Sequence, residues 1–169
     1  ESITIEPWPA AGDALRAYRN YRILNENGDE IAVCLSYWMM INMKTRRPTR
    51  MTQDILNTRL SDREHVLPIN SSKIPKIEEP SSEKIIPVRR SDLDMNKHVN
   101  NARYLEWMEE PLNEGQIYRT NKVDIIFLRE SVYGDTITSQ IKATEQASTF
   151  HQLKNQRDEI IALASFSDI

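Results

Sequence analysis

One cysteine, Cys34, stands among the 169 residues, so neither an intramolecular disulfide nor a CxxC metal knuckle is available, which suits a reducing compartment. Glycine occurs only four times and no apolar run reaches the ~18 residues of a membrane helix, which excludes a collagen-like or helix-spanning chain. Basic charge is not in excess either. The net charge of −3 and the pI near 5.7 argue against a nucleic-acid binder with a wholly basic surface. The opening "ESITIEPWPA" has neither the basic and apolar segments of a signal peptide nor the Arg/Ser character of a transit peptide. What remains, 39% hydrophobic and 28% charged, is enough for a core and too apolar for disorder. A soluble globular protein is expected, cytoplasmic by default, with no nucleic-acid and no membrane partner. The first residue is not Met, and a processed or truncated front is expected.

Alternation of apolar and polar residues marks "ESITIEP", "ALRAYRNYRIL" and "EIAVCLSYWMMINM" as strands. Asn27-Gly28-Asp29 is a hairpin-turn signal between the second and third, so the first third of the chain reads as antiparallel β. "LPINSSKIPKIEEPSSE" is rich in Pro and Ser and broken by charge, as a surface linker should be. The boundary is placed there: residues 1–67 form one domain, 68–83 a linker and 84–169 a second domain. In the second domain "KIIPVRR" reads as a strand, "NNARYLEWMEEPL" as a helix, and four more strands follow to the end. Asn100 or Asn101 can cap the helix and Pro111 opposes its continuation. Tyr104, Leu105, Met108 and Leu112 share one stripe of it, opposite Arg103, Glu106 and Glu110. The fold class is α+β, one helix lying against an antiparallel sheet.

The two parts resemble each other. "DEIAVCLSYW" at 29–38 matches "DEIIALASFS" at 158–167, a spacing of 129 (158 − 29), and "ITI" at 3–5 and "ITS" at 137–139 precede them in the same order. Chance similarity of two amphipathic strands is the bland reading, and duplication, which accounts for both matches in order, is the preferred one. The first copy then lacks the leading strand and helix of the second, so its front is expected to be incomplete.

The chemistry concentrates in "RRSDLDMNKHVNNARYLEWMEE". Asp94, Asn96 and His98 alternate with Leu93, Met95 and Lys97, so in an extended backbone the three polar side chains leave from one side. A carboxylate, an amide and an imidazole just before a helix N-terminus can orient a carbonyl or a water, with first-turn N–H groups as an oxyanion site. The blander alternative is a hydrogen-bonded capping loop. A second carboxylate, Glu130, closes "VDIIFLRES", where both alternating sets are apolar up to Leu128 and the strand is expected to be buried on two sides. There Glu130 would need a partner, either an arginine or His98 and a water for which it would act as general base, unless it is simply exposed where the strand ends before Tyr133-Gly134-Asp135.

Taken together these stretches resemble the acyl-acyl carrier protein thioesterases. "DLDMNKHVNNARY" is similar to that family's DxDxNxHVNNxxY signature, "FLRESVYGD" to the strand bringing its acidic residue, and "GDEIAVCLSYWMMINMKTRRPTR" to the end of its other half. The resemblance covers most of the chain and implies a tandem pair of hotdog folds, each an antiparallel sheet wrapped around a central helix. It implies hydrolysis of fatty acyl thioesters on acyl carrier protein, with the acyl tunnel shared by the two halves. Asp94, Asn96, His98 and Glu130 then occupy catalytic positions, and main-chain amides at Val99 and Asn100 receive the oxyanion. Either Glu130 activates water or its carboxylate attacks directly to give an anhydride. An acyl-CoA thioesterase and a non-catalytic acyl-binding hotdog are the alternatives.

Lys44, Arg46, Arg47 and Arg50, with Arg89 and Arg90, are basic groups in an acidic chain, suited to docking the acidic carrier protein and its phosphopantetheine phosphate, or else a solvated cluster. Cys34 matches no catalytic position and is expected as a buried structural thiol. His65 and His151 have no companions at metal spacing, so no metal and no cofactor is implied. A monomer or a homodimer is expected, because a tandem hotdog supplies its own pairing.

Overall fold

The computed structural model describes residues 2–10, 12–45, 47–56, 61–69, 73–113, 115, 120–144 and 148–168. The chain divides into two compact units, Glu1–Ser71 and Ser72–Ile169. In the first, strands β1 (Thr4–Ala10), β2 (Arg16–Leu24), β3 (Glu30–Asn42) and β4 (Arg47–Thr49) form an antiparallel sheet in that order, followed by the single-turn helix α1 (Gln53–Leu56). In the second, an antiparallel sheet runs in the order β5 (Ser82–Pro87), β7 (Thr136–Ala143), β8 (Thr149–Lys154), β9 (Ile160–Ser167), β6 (Lys122–Phe127), with helix α2 (Asn101–Glu109) against it. Among the described residues no helix is long and apolar enough to cross a membrane.

The meander β1–β3 recurs as β7–β9, and its turn shows in which register. Asn25 Oδ1 accepts the amides of Asn27 and Asp29, and Asn155 Oδ1 accepts those of Arg157 and Glu159. The position that must adopt a left-handed backbone is Gly28 (φ 87°) in one turn and Asp158 (φ 60°) in the other. Equivalent residues are therefore 130 apart (155 − 25), not the 129 suggested by matching letters. That single slip exchanges the faces of every side chain. The "ITI" and "ITS" match holds as read, because Thr4 pairs with Leu24 as Thr138 pairs with Lys154.

The correct register explains what each face does. In the second unit, His151, Leu153, Ala162, Ala164 and Phe166 are buried with the helix residues Tyr104, Trp107 and Met108 in one core, where a fully buried large apolar side chain contributes roughly 1.5–3 kcal/mol. The His151 Nδ1 donates to the Met108 carbonyl at 2.9 Å, which ties the helix end to β8. On the opposite face the buried amide of Gln152 bonds both the N–H and the C=O of Ile77. Residues 73–80 are thus more than a surface linker: Ile74 and Ile77 are buried against the sheet. The first unit uses the same device, with the buried Asn20 accepting from the Val66 amide and Arg63 lying 3.7 Å over Trp8.

Cys34 corrects an expectation. It occupies the place of Ala164, yet it and Ala32 are exposed where Ala164 and Ala162 are covered by α2. Partial desolvation still pushes its thiol pKa up. β6 corrects another. It ends at Phe127 and, among the described residues, is an edge strand paired only with β9, so Val123, Ile126, Phe127 and Leu128 are exposed rather than buried on two sides.

Candidate active site

Asp94 to His98 is not extended. Leu93 and Val99 bridge, Asp94 N donates to His98 O at 2.7 Å, and Lys97 takes a left-handed backbone (φ 64°), so the five residues close a tight loop. The Asp94 carboxylate turns inward: Oδ1 accepts the amides of Asn96 (2.8 Å) and His98 (3.1 Å), and Oδ2 lies 3.4 Å from the Asn96 side-chain nitrogen. The three polar groups do not leave from one side. Asp94 is the internal cap of the loop, and Met95, 94% exposed, forms its tip.

The loop carries the imidazole outward to a partner. Past the end of β6, Leu128 N and Arg129 N still donate to Ile161 O of β9, and the chain then runs beside the loop, where Val99 N donates to Ser131 O at 2.8 Å and His98 bridges Val132. This juxtaposition sets His98 Nδ1 3.8 Å from Glu130 Oε1, both half-exposed at 42% and 55%. That separation exceeds a direct hydrogen bond by under an ångström. Asn96 is exposed and is held by Asp94, so the structure brings His98 and Glu130 together and leaves Asn96 on the loop.

The expected oxyanion amides are overturned. Val99 N is engaged by Ser131 O and Asn100 N by Asp92 O at 2.9 Å, so neither is available to a substrate oxygen. Asn100 itself is the helix N-cap, its Oδ1 accepting from Ala102 N.

Two residues that the motif reading passed over hold this arrangement. Asp92 is 1% exposed; its Oδ2 accepts from Arg89 N at 2.7 Å, and the Arg89 and Arg103 guanidinium groups stand 3.5 and 3.9 Å from Oδ1. The signal was the first Asp of the DxD pair, a carboxylate two residues before one already chosen. Tyr104, expected only as core, also donates its hydroxyl to Arg129 O at 3.1 Å.

Of the basic groups, Lys44, Arg47 and Arg50 are exposed around the β3–β4 turn of the first unit, and Arg46 lies outside the described residues. Arg89 and Arg90 are exposed in the second unit, Arg90 4.3 Å over the Tyr133 ring. Among the described residues no three His, Cys, Asp or Glu side chains cluster as a metal site would require.

Comparison with known proteins places these residues in a family. The model of the acyl-ACP thioesterase N-terminal domain matches residues 1–58 and that of the C-terminal domain residues 75–167, which includes both His98 and Glu130. Oleoyl-acyl carrier protein thioesterase 2, chloroplastic, of Arabidopsis thaliana is 32% identical over 160 residues, 85% of this chain and 42% of the relative. The chain spans about half the length of the curated relatives it matches. Two solved structures share its fold: an acyl-ACP thioesterase from Bacteroides thetaiotaomicron (TM-score 0.82, 21% identity, 98% of this chain and 68% of that one) and the 12:0-ACP thioesterase from Umbellularia californica (TM-score 0.83, 19% identity, 98% and 66%). The fold is of the hotdog type, as the motif led one to expect. With both of its characteristic domains matched, the chain belongs to the acyl-ACP thioesterase family.

Proposed function

We propose that this protein hydrolyses fatty acyl thioesters of acyl carrier protein, releasing free fatty acid in fatty acid synthesis. The observation that carries the reading is the approach of Glu130 to His98 inside the segment matched by the family's C-terminal domain. Relatives named for oleoyl and palmitoyl carrier-protein substrates support the substrate class.

In this reading Glu130 takes a proton from water as the water oxygen bonds to the thioester carbon. The C–S bond then breaks and the proton passes to the departing sulfur. His98 orients the Glu130 carboxylate, Asp94 holds the loop that presents His98, and Asn96 offers an exposed amide donor to the thioester oxygen in place of the engaged main-chain amides. Single-turnover hydrolysis in oxygen-18 water tests the route: label in the fatty acid alone fits attack by water, and label in the Glu130 carboxylate would mean an anhydride instead.

Lys44, Arg46, Arg47 and Arg50, with Arg89 and Arg90, form the proposed docking groups for the acidic carrier protein. Reversing Arg46 and Arg47 to Glu should raise KM for acyl-acyl carrier protein while leaving that for acyl-CoA unchanged. Equal rates on both substrates in the native protein would favour the acyl-CoA reading. The single unpaired cysteine supports a reducing compartment, the cytoplasm, for the protein, as a monomer or homodimer.

A further inference from the structure

Glu130 lies beyond the end of β6, exposed, in a stretch without regular secondary structure. A long side chain on such a stretch meets His98 in a fixed place only if its backbone is held. The carbonyls on either side of Glu130 are both held. Ser131 O accepts from Val99 N at 2.8 Å, and Arg129 O accepts from the Tyr104 hydroxyl at 3.1 Å. One bond comes from the loop that carries His98 and the other from the first turns of the helix that the loop caps.

Tyr104 is placed to act as a rigid arm. Its ring is 2% exposed, packed edge-on against Phe127, the last residue of β6, at 5.5 Å and 82°, and tilted against Trp107 at 5.7 Å. A phenylalanine would fill the same core position, so packing alone does not call for the hydroxyl. Burial pushes the phenol pKa above its ordinary value, which keeps it a protonated donor at neutral pH. Ser131, 1% exposed, lies beside the hydroxyl, and its hydrogen-bonding groups offset part of that rise.

We infer that Tyr104 is a positioning residue for the reaction, its hydroxyl fixing Arg129 O and thereby the Glu130 carboxylate opposite His98. The inference rests on Glu130 being the base. Displacing a catalytic group by even about an ångström costs up to ~100-fold in rate. Arg129 N also donates to Ile161 O at 3.1 Å, so the segment stays tethered without the Tyr104 bond and the loss should lie below that.

The test is steady-state hydrolysis of lauroyl- and palmitoyl-acyl carrier protein by Tyr104→Phe, Ile141→Ala, Glu130→Gln and the Tyr104→Phe/Glu130→Gln pair, each assayed well below its own melting temperature. Tyr104→Phe should lower kcat about tenfold with KM within about twofold. Ile141→Ala, a buried change on β7 outside the cluster that holds Tyr104, should lower the melting temperature and leave kcat unchanged. On the Glu130→Gln background Tyr104→Phe should subtract nothing further, because the group it positions is gone. An unchanged kcat in Tyr104→Phe, or a loss matched by Ile141→Ala, would overturn the positioning role while Glu130 stands as base. Full turnover by Glu130→Gln would overturn the reading of the base, and the inference with it.

Discussion

His98 Nδ1 stands 3.8 Å from Glu130 Oε1, although among the described residues their two segments share no sheet pairing other than the single bridge His98 to Val132. The relationship is made by bonds to the backbone around Glu130 rather than by a direct bond between the two side chains. Val99 N to Ser131 O and Tyr104 Oη to Arg129 O bring the second segment against the first. Changes that loosen the loop or its anchors should therefore affect turnover without touching either group.

Asp94→Ala is the sharpest such change. It removes the acceptor of the Asn96 and His98 amides and so opens the loop. A stability loss of about 1–3 kcal/mol and a fall in turnover of roughly 100-fold are expected, from urea titration and steady-state rates. Met95→Ala, at the exposed tip of the same loop, should change stability by less than about 0.5 kcal/mol.

Asp92→Ala leaves the part-buried Arg89 N–H without its acceptor and two guanidinium groups without their carboxylate. Because both guanidinium groups reach solvent, the expected cost is nearer that of one lost buried hydrogen bond, about 1–3 kcal/mol, read from the urea midpoint.

His151 makes stability pH-dependent. It is fully buried; Nδ1 donates to Met108 O, which can only accept, so Nε2 accepts from the Thr149 hydroxyl and a second ring proton has no acceptor. Burial pushes its pKa down to about 4, partly offset by the Met108 bond. The unfolded chain takes up the proton near 6.5 and the folded protein only near 4. The contribution is therefore whole above pH 6.5 and lost as pH falls toward 4, about 3 kcal/mol across that window. His151→Gln, which does not titrate, should flatten this part of the curve, as measured by chemical denaturation at pH 4.5 and 7.

The two equivalent turns predict opposite responses. Gly28→Ala forces a side chain into a left-handed position (φ 87°) and should cost about 1 kcal/mol. Asp158→Gly relieves the same conformation (φ 60°) in the second turn and, less its exposed pairing with Lys154, should raise stability by up to about 0.5 kcal/mol. Thermal melts of the two variants check both signs.

Strand identities were legible because apolar alternation reports one buried face, and the helix because Asn100 and Pro111 bracket its stripe. The repeat was legible but its register was not. Letters match at a spacing of 129, whereas the hydrogen bonds of Asn25 and Asn155 require 130, and only the turns count residues correctly. His98 and Glu130 could be named from their motifs, but the inward turn of Asp94 depends on the left-handed Lys97, which no sequence pattern announces. The engaged amides of Val99 and Asn100 were equally hidden, because their acceptors come from Ser131, 32 residues along (131 − 99), and from Asp92, just before the loop.

The most direct measurement is hydrolysis of an acyl-acyl carrier protein panel by the native protein, Glu130→Gln and His98→Ala, with circular dichroism to establish that each variant is folded. Both side chains are half-exposed and neither is part of the core, so stability should change little. The account predicts turnover by the native protein and a loss of at least about 100-fold in each variant. Native-like turnover by folded Glu130→Gln would contradict it.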